Sequence, residues 1–463
     1  MSEMRYISTR GSAAALGFED AMLTGLAADG GLYMPESWPQ FSAADFAELR
    51  GRKFEEIVLR ICLEFVGGSF SEAELKPMID QSYSRFRHPA RCPLRQLDNN
   101  LHLLELFHGP TLAFKDFALQ LVGRMFAASL QRRARRSVIV GATSGDTGSA
   151  AIEAFRGLES VDMFILFPEG RVSEVQRRQM TTASDSNVHA IAVDGDFDAC
   201  QARVKDMFND AGFRQEFCLG AVNSINWARI VVQAAYFVAA ALQLGAPERG
   251  VTFAVPTGNF GDVFAAYVAK QLGLPIDRLI VATNRNDILH RALTTGSYRT
   301  GPVSATYSPS MDIQVSSNFE RALFEASDRD APRIVELMCR QGGFEIPGDM
   351  LDRLRSDYVS GRVSENQTLS RIGDIHARTG QAVCPHTAVG IETAYSVSDT
   401  NSPVIALATA HPAKFPDAVR HATGTEPCLP DWMAELMSLP ERMIRAPDSL
   451  PDLQAIIRER VSA

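Results

Sequence analysis

Two β-branched, apolar runs in this chain end in glycine-rich turns that open directly into helix-forming sequence: Val138 to Gly141 leads into ATSGDTG, and Val251 to Val255 into PTGNFGD. A strand feeding a helix through a tight turn is half of a βαβ unit. The same rhythm recurs from about residue 137 onward in DMFILFPEG, VHAIAVDGDFDACQARVKDMF, RLIVATN and PVIALATAHPAKF. Such alternation predicts an α/β protein built on mostly parallel sheets with flanking helices. Residues 13 to 90 follow helical spacing instead, as in FEEIVLRICLEF and SEAELKPMID, where Ser71 and Glu74 form a capping-box pattern. A helical N-terminal domain is therefore expected. The charged block from Asn318 to Gly380 reads as a largely helical excursion from the sheet, and RRARR (132 to 136) as the solvated end of a helix begun at Asp116.

A chain of 463 residues, 46% hydrophobic and 22% charged, exceeds what one core usually supports, so two or three domains are expected. The net charge of −9 argues against a general nucleic-acid surface, and any anionic ligand must be held by local groups. Seven scattered cysteines, with no CxxC pair or metal-ligand spacing, favour a reducing compartment and predict neither a disulfide framework nor a metal site. The start, MSEMRYISTRG, lacks a basic-then-apolar signal. The apolar stretch Ile230 to Leu244 is broken by Gln233 and falls short of the ~20 residues a membrane span needs. The expectation is a cytoplasmic protein without a membrane or nucleic-acid partner.

Each glycine-rich turn aims backbone N–H groups and the positive end of a helix dipole at one point, which makes an anion cradle. Two cradles suggest two anionic groups, although either turn could serve the fold alone. Neither is followed by GK[ST] and neither matches GxGxxG, so those nucleotide modes are disfavoured. Hydroxyls at Thr143, Ser144, Thr147 and Thr257 favour ligand contact. In HGPTLAFKDF (108 to 117), Lys115 sits between Phe114 and Asp116 at a helix start. It could snorkel into water. Alternatively, apolar neighbours and the helix N-terminus could depress its pKa and yield an amine able to form a Schiff base. A lysine of that kind beside a phosphate cradle meets the two needs of pyridoxal phosphate, a covalently held aldehyde and a non-covalently held phosphate.

The segments FHGPTLAFKDF, GATSGDTGSAA, PTGNFGD, NSINWAR, PHTAVG and TAHPAKFP, in this order, resemble the threonine synthase family of the bacterial and fungal type, with STRG (8 to 11) and ADGGLYMPE (28 to 36) extending the similarity to most of the chain. The resemblance implies the pyridoxal-phosphate fold type II, the tryptophan-synthase-β-like fold. It implies an N-terminal mainly helical domain over 1–95, a large cofactor-binding domain over 96–130 and 220–463, and an embedded small α/β domain over 131–219. By motif, Lys115 looks like the lysine that anchors the cofactor and shuttles protons at the substrate Cα. Gly258, Asn259, Phe260 and Gly261 look like the cofactor phosphate loop, and Thr409 like the neutral hydroxyl facing the pyridine nitrogen. Thr143, Ser144, Gly145, Asp146 and Thr147 look like the loop over the substrate carboxylate. Asn223, Ser224 and Arg229 of NSINWAR look like the substrate phosphate site, Arg being suited to bidentate phosphate binding; on sequence alone the same segment reads equally as a helix N-cap followed by an outward Arg.

The implied reaction is O-phospho-L-homoserine plus water giving L-threonine and phosphate, by β,γ-elimination and replacement in a monomer or homodimer. A phospho-lyase of the threonine-synthase-like group giving 2-oxobutyrate shares the loops. A dehydratase or cysteine-synthase-like enzyme, and a non-catalytic scaffold, are the other readings. A carboxylate at Asp146 would repel an anionic cofactor oxygen unless protonated or turned away. Cys384 reads as packing, Lys414 is a further candidate for the substrate phosphate site although taken alone it reads as a surface cation, and His108 and His411 receive no proton-transfer role.

Overall fold

The structure, a computed structural model, describes residues 4–220, 223–397 and 402–461. Its strands in chain order are β1 (Tyr6–Ser8), β2 (Tyr33–Pro35), β3 (Leu94–Gln96), β4 (Leu101–Glu105), β5 (Ser137–Ala142), β6 (Val161–Pro168), β7 (Val188–Asp194), β8 (Val251–Pro256), β9 (Ile276–Thr283), β10 (Ser297–Arg299), β11 (Gly343–Glu345), β12 (Tyr358–Arg362), β13 (Val404–Ala408) and β14 (Ile444–Pro447). The chain forms two compact units, one of Met1–Ala21, Leu26–Phe114 and Ser224–Pro427, the other of Met22–Gly25, Lys115–Asn223 and Cys428–Ala463.

The first unit holds a six-stranded sheet of order β12-β9-β8-β13-β4-β3, parallel except for the antiparallel edge β3. β8 is buried at every position and β13 likewise, the pattern of strands covered on both faces. A core of Leu101, Ile280, Ile372, Ile391 and Ala406 packs helices against the sheet. The N-terminal helices Ala43–Leu49, Phe54–Phe65 and Glu72–Tyr83 belong to this unit, and Phe54–Phe65 packs on the helix Trp227–Gln243 with Phe65 and Trp227 rings 6.0 Å apart. Ser71 and Glu74 make the reciprocal capping box that their spacing predicts. Trp227–Gln243 is buried almost all round, which explains the apolar stretch. Among the described residues no helix is long and apolar enough to cross a membrane.

The second unit carries a four-stranded parallel sheet of order β14-β7-β6-β5 around Val138, Phe164, Ile191, Leu453 and Ile457. Here the compact units differ from the boundaries expected from sequence. The C-terminal segment, expected in the large domain, supplies β14 to this sheet and buries Leu453 and Ile457 of the helix Leu450–Arg460 in its core. Without β14 the β7 edge would present unpaired backbone groups. The helix Lys115–Arg132 also falls in this unit; it starts one residue before the expected Asp116, and Arg133 to Arg136 lie exposed beyond its end. In the first unit, the Asn318 to Gly380 block is mostly helical but returns to the sheet as the parallel edge strand β12.

Leu453 is fully buried, so Leu453→Ala is expected to lower the unfolding free energy by about 2–5 kcal/mol in urea titration. Unchanged stability would show that the C-terminal helix is not part of this core.

Candidate active site

In the first unit, β8 and β13 are parallel neighbours, and both end at glycine- or hydroxyl-bearing segments, PTGNFG and Thr409. The carboxyl ends of adjacent parallel strands are where open α/β sheets place ligands. Gly258 has no space for a side chain, since a Cβ there would lie 2.7 Å from the Ser310 carbonyl oxygen. Phe260 precedes the helix Gly261–Gln271 in the left-handed conformation, φ 62 and ψ 0, with no side-chain cap. For a bulky residue that geometry costs about 1–2 kcal/mol. Packing offsets it, with the Phe260 ring 5.2 Å from Phe319 and 5.3 Å from Tyr358. The result is a helix N-terminus whose N–H groups no side chain caps, the arrangement that binds phosphate. The nearest acid, buried Asp262, accepts a hydrogen bond from the Tyr236 hydroxyl. Thr257 donates back to the Val255 carbonyl at 2.6 Å, which gives its hydroxyl a local structural partner.

Asn226 caps the helix Trp227–Gln243 by accepting from the Ala228 N–H at 3.1 Å, so the N-cap reading of NSINWAR is correct for Asn226. The outward Arg is not: Arg229 is 4% exposed, and its Nε and Nη1 have no hydrogen-bond partner. Burial pulls its guanidinium down to about 10. A buried cation with vacant donors is costly unless an anion joins it. Ser224 Oγ lies 3.3 Å from Ser317 Oγ, and Asn223 is exposed.

Thr409 is 6% exposed, and its carbonyl accepts from the Phe114 N–H at 2.8 Å. The His411 N–H donates to the Leu112 carbonyl at 3.0 Å, so the residues just before Lys115 are stitched antiparallel to the chain leaving β13. Leu112 itself is buried at φ 61, another strained turn. Lys414 corrects a sequence expectation. Rather than a surface cation it is fully buried, and its Nζ donates to the Thr111 carbonyl at 2.8 Å, bracing the same turn. His108 Nε2 lies 2.8 Å from Glu105 Oε2, and burial depresses His411 to about 4, leaving it neutral near pH 7. Cys384 is buried as expected, with Sγ accepting from the Thr387 N–H at 3.4 Å at a helix start.

In the second unit, Lys115 opens the helix Lys115–Arg132 with its side chain 12% exposed and Nζ 3.7 Å from Asp146 Oδ2. Asp146 is buried at the start of the helix Asp146–Phe155, and its Oδ1 accepts from Gln176 Nε2 at 2.8 Å. The Asp146 carboxylate is thus directed toward the Lys115 side chain and the Gln176 amide. Thr143 Oγ1 accepts from the Gly145 and Gly148 N–H groups at 3.0 and 2.9 Å, so this hydroxyl shapes the loop from within. Gly145 stands at φ +140, and a Cβ there would meet Gln176 at 2.4 Å. Ser144 and Thr147 are part-exposed on the loop. Sequence reasoning missed Gln176. The available signal for Gln176 was the capping box it forms with Ser173, visible as S-x-x-Q at 173–176.

Taken separately, the uncapped helix after PTGNF in the first unit suits a phosphate, and the part-buried lysine in the second unit suits an aldehyde. Models of the threonine synthase N terminus, a pyridoxal-phosphate dependent enzyme, and the threonine synthase C-terminal region match residues 5–83, 88–343 and 387–457. The chain belongs to the threonine synthase family. It is 50% identical to threonine synthase of Pseudomonas aeruginosa over 98% of both chains. A crystal structure of pyridoxal-phosphate-bound threonine synthase from Brucella melitensis superposes with a TM-score of 0.97 at 52% identity, covering 99% of this chain and 100% of that one. The yeast threonine synthase structure gives 0.94 at 38% identity, covering 99% of each. The tryptophan-synthase-β-like fold of this pyridoxal-phosphate family is therefore established for the chain.

Because the folded pKa of His411 lies near 4, below its ordinary value, the unfolded chain binds the extra proton first as pH falls. Its contribution to stability is full above about 6.5 and is lost between about 6.5 and 4, with a slope of at most about 1.4 kcal/mol per pH unit. Urea unfolding across that window should show His411→Gln flattening the acid limb; an unchanged limb would mean that His411 titrates normally.

Proposed function

We propose that this chain converts O-phospho-L-homoserine and water into L-threonine and phosphate, using pyridoxal phosphate. The observation that carries the reading is Arg229, a buried guanidinium with vacant donors on the helix that follows NSIN. A dehydratase of unphosphorylated amino acids has no use for such a group, whereas a substrate phosphate supplies its missing partner.

Bound pyridoxal phosphate supplies an electron sink for bonds at the substrate Cα. Gly258, Asn259, Phe260 and Gly261, at the uncapped helix N-terminus, would hold the cofactor phosphate, and Thr409 would offer the pyridine nitrogen a hydroxyl rather than a carboxylate. Lys115 anchors the aldehyde, then takes and returns the Cα proton. Asp146 Oδ2 stands 3.7 Å from that amine. The loop Thr143, Ser144, Gly145, Asp146 and Thr147 binds the substrate carboxylate through helix N-terminal N–H groups. Asn223, Ser224 and Arg229 hold the substrate phosphate, which leaves from Cγ before water adds at Cβ. Excluding water until that departure favours threonine over early hydrolysis. All seven cysteines are free thiols, which suits a reducing, cytoplasmic setting.

The test is to incubate the cofactor-loaded protein with O-phospho-L-homoserine and quantify products. Threonine and phosphate in equal amounts are expected; phosphate accompanied by 2-oxobutyrate would overturn the synthase reading in favour of a phospho-lyase. Arg229→Gln removes charged hydrogen bonds of about 1.5–3 kcal/mol, so KM for phosphohomoserine should rise about 10- to 150-fold. An unchanged KM would remove Arg229 from the phosphate site.

A further inference from the structure

Asn318 is fully buried, and its side-chain amide donates to two carbonyls of the first unit at once, Ser224 O at 3.1 Å and Asn259 O at 2.9 Å. Its backbone N–H donates to the same Asn259 carbonyl at 3.0 Å. Its remaining oxygen accepts from Arg321, also fully buried, whose Nη2 donates to Ile225 O at 2.7 Å and Tyr33 O at 3.0 Å. The Arg321 guanidinium lies 5.5 Å from the Trp227 ring centroid, two residues before Arg229. Around this pair, Ser316 Oγ donates to Gly258 O at 2.7 Å, and Ser317 Oγ lies 3.3 Å from both Ser224 Oγ and Asn259 Oδ1. One short segment, SSNFER (316–321), thus grips PTGNFG and NSINWAR together.

The grip has a directional consequence. A trans peptide points the C=O of one residue and the N–H of the next to opposite sides. Fixing the Asn259 carbonyl on Asn318 therefore turns the Phe260 N–H away from it, and Phe319, the next residue, holds the Phe260 ring in its left-handed position. Fixing the Ser224 and Ile225 carbonyls orients the Ile225 and Asn226 peptides in the same manner. We infer that Asn318 and Arg321 are positioning residues that set both phosphate-binding segments of this site, so that one buried pair controls affinity for cofactor phosphate and for substrate phosphate. The inference rests on the function proposed above for what those two segments bind. Arg321 differs from Arg229 in that its donors already have carbonyl partners, which assigns it to the scaffold rather than to a ligand. Burial draws its guanidinium down to about 9, so those partners are needed to keep it charged in place.

Asn318→Asp tests this, because it keeps shape and the acceptor for Arg321 while deleting both donated side-chain bonds. Apoprotein is titrated with pyridoxal phosphate by absorbance, and the loaded protein with inorganic phosphate by calorimetry, alongside urea unfolding. In a folded Asn318→Asp protein both affinities should weaken roughly tenfold, in line with lost buried hydrogen bonds. In turnover KM should rise by more than kcat falls. If the variant fails to fold, Arg321→Lys, which keeps charge but loses the fork, is read by the same criteria. Wild-type affinity for either phosphate in a folded variant would overturn the inference. Both binding readouts are independent of product identity, so a protein that makes no threonine yet loses both affinities would contradict the proposed reaction while supporting the latch.

Discussion

Everything chemical in this molecule hangs on a short antiparallel stitch, the hydrogen bonds from Phe114 N–H to Thr409 O and from His411 N–H to Leu112 O. β13 lies between β8 and β4 in the six-stranded sheet and is hydrogen-bonded on both sides. The stitch ties residues 112–114 to its carboxyl end, fixing the backbone of the first unit up to Phe114. Lys414 and the strained Leu112 serve the same anchorage: a buried ammonium on the Thr111 carbonyl holds a turn that Leu112 would not adopt by preference. In the role proposed for Lys115, positional precision matters, because misplacement of a reacting group by about 1 Å can cost 10²-fold.

Charge is managed locally in a chain whose net charge is −9. Among the described residues, three lysine or arginine side chains are buried in the first unit, and their surroundings differ. Arg321 spends its donors on the carbonyls of Tyr33 and Ile225, and Lys414 donates to Thr111. Arg229 alone of the three has guanidinium nitrogens with no partner. A buried cation whose donors are satisfied braces the fold, whereas one with vacant donors is costly unless an anion joins it, which is the ground for the phosphate role proposed for Arg229. In the second unit the balance is reversed, with the Asp146 carboxylate held by Gln176 and facing the Lys115 amine.

Much of this was legible in sequence because it is local. Strand, glycine turn and helix follow one another in ATSGDTG and PTGNFGD, and the capping box of Ser71 and Glu74 spans three residues. Lys115 stood out through its immediate neighbours. What escaped depends on partners far apart in the chain. Lys414 reads as an exposed cation until Thr111, 303 residues earlier, is placed beside it. Asn318 meets Ser224 across 94 residues and Asn259 across 59, with no periodicity to announce either pairing. β14 follows a stretch rich in proline and short turns, and its membership in the four-stranded sheet is set by the apolar face of Leu453 and Ile457 rather than by strand propensity.

The central claim is that one amine, Lys115, is the covalent anchor. Borohydride treatment of the protein loaded with pyridoxal phosphate, followed by peptide mass mapping, tests it most directly. The account predicts the reduced pyridoxyl group on the peptide containing Lys115 and on no other. A label on the buried Lys414, or no label at all on a protein that retains activity, would contradict it.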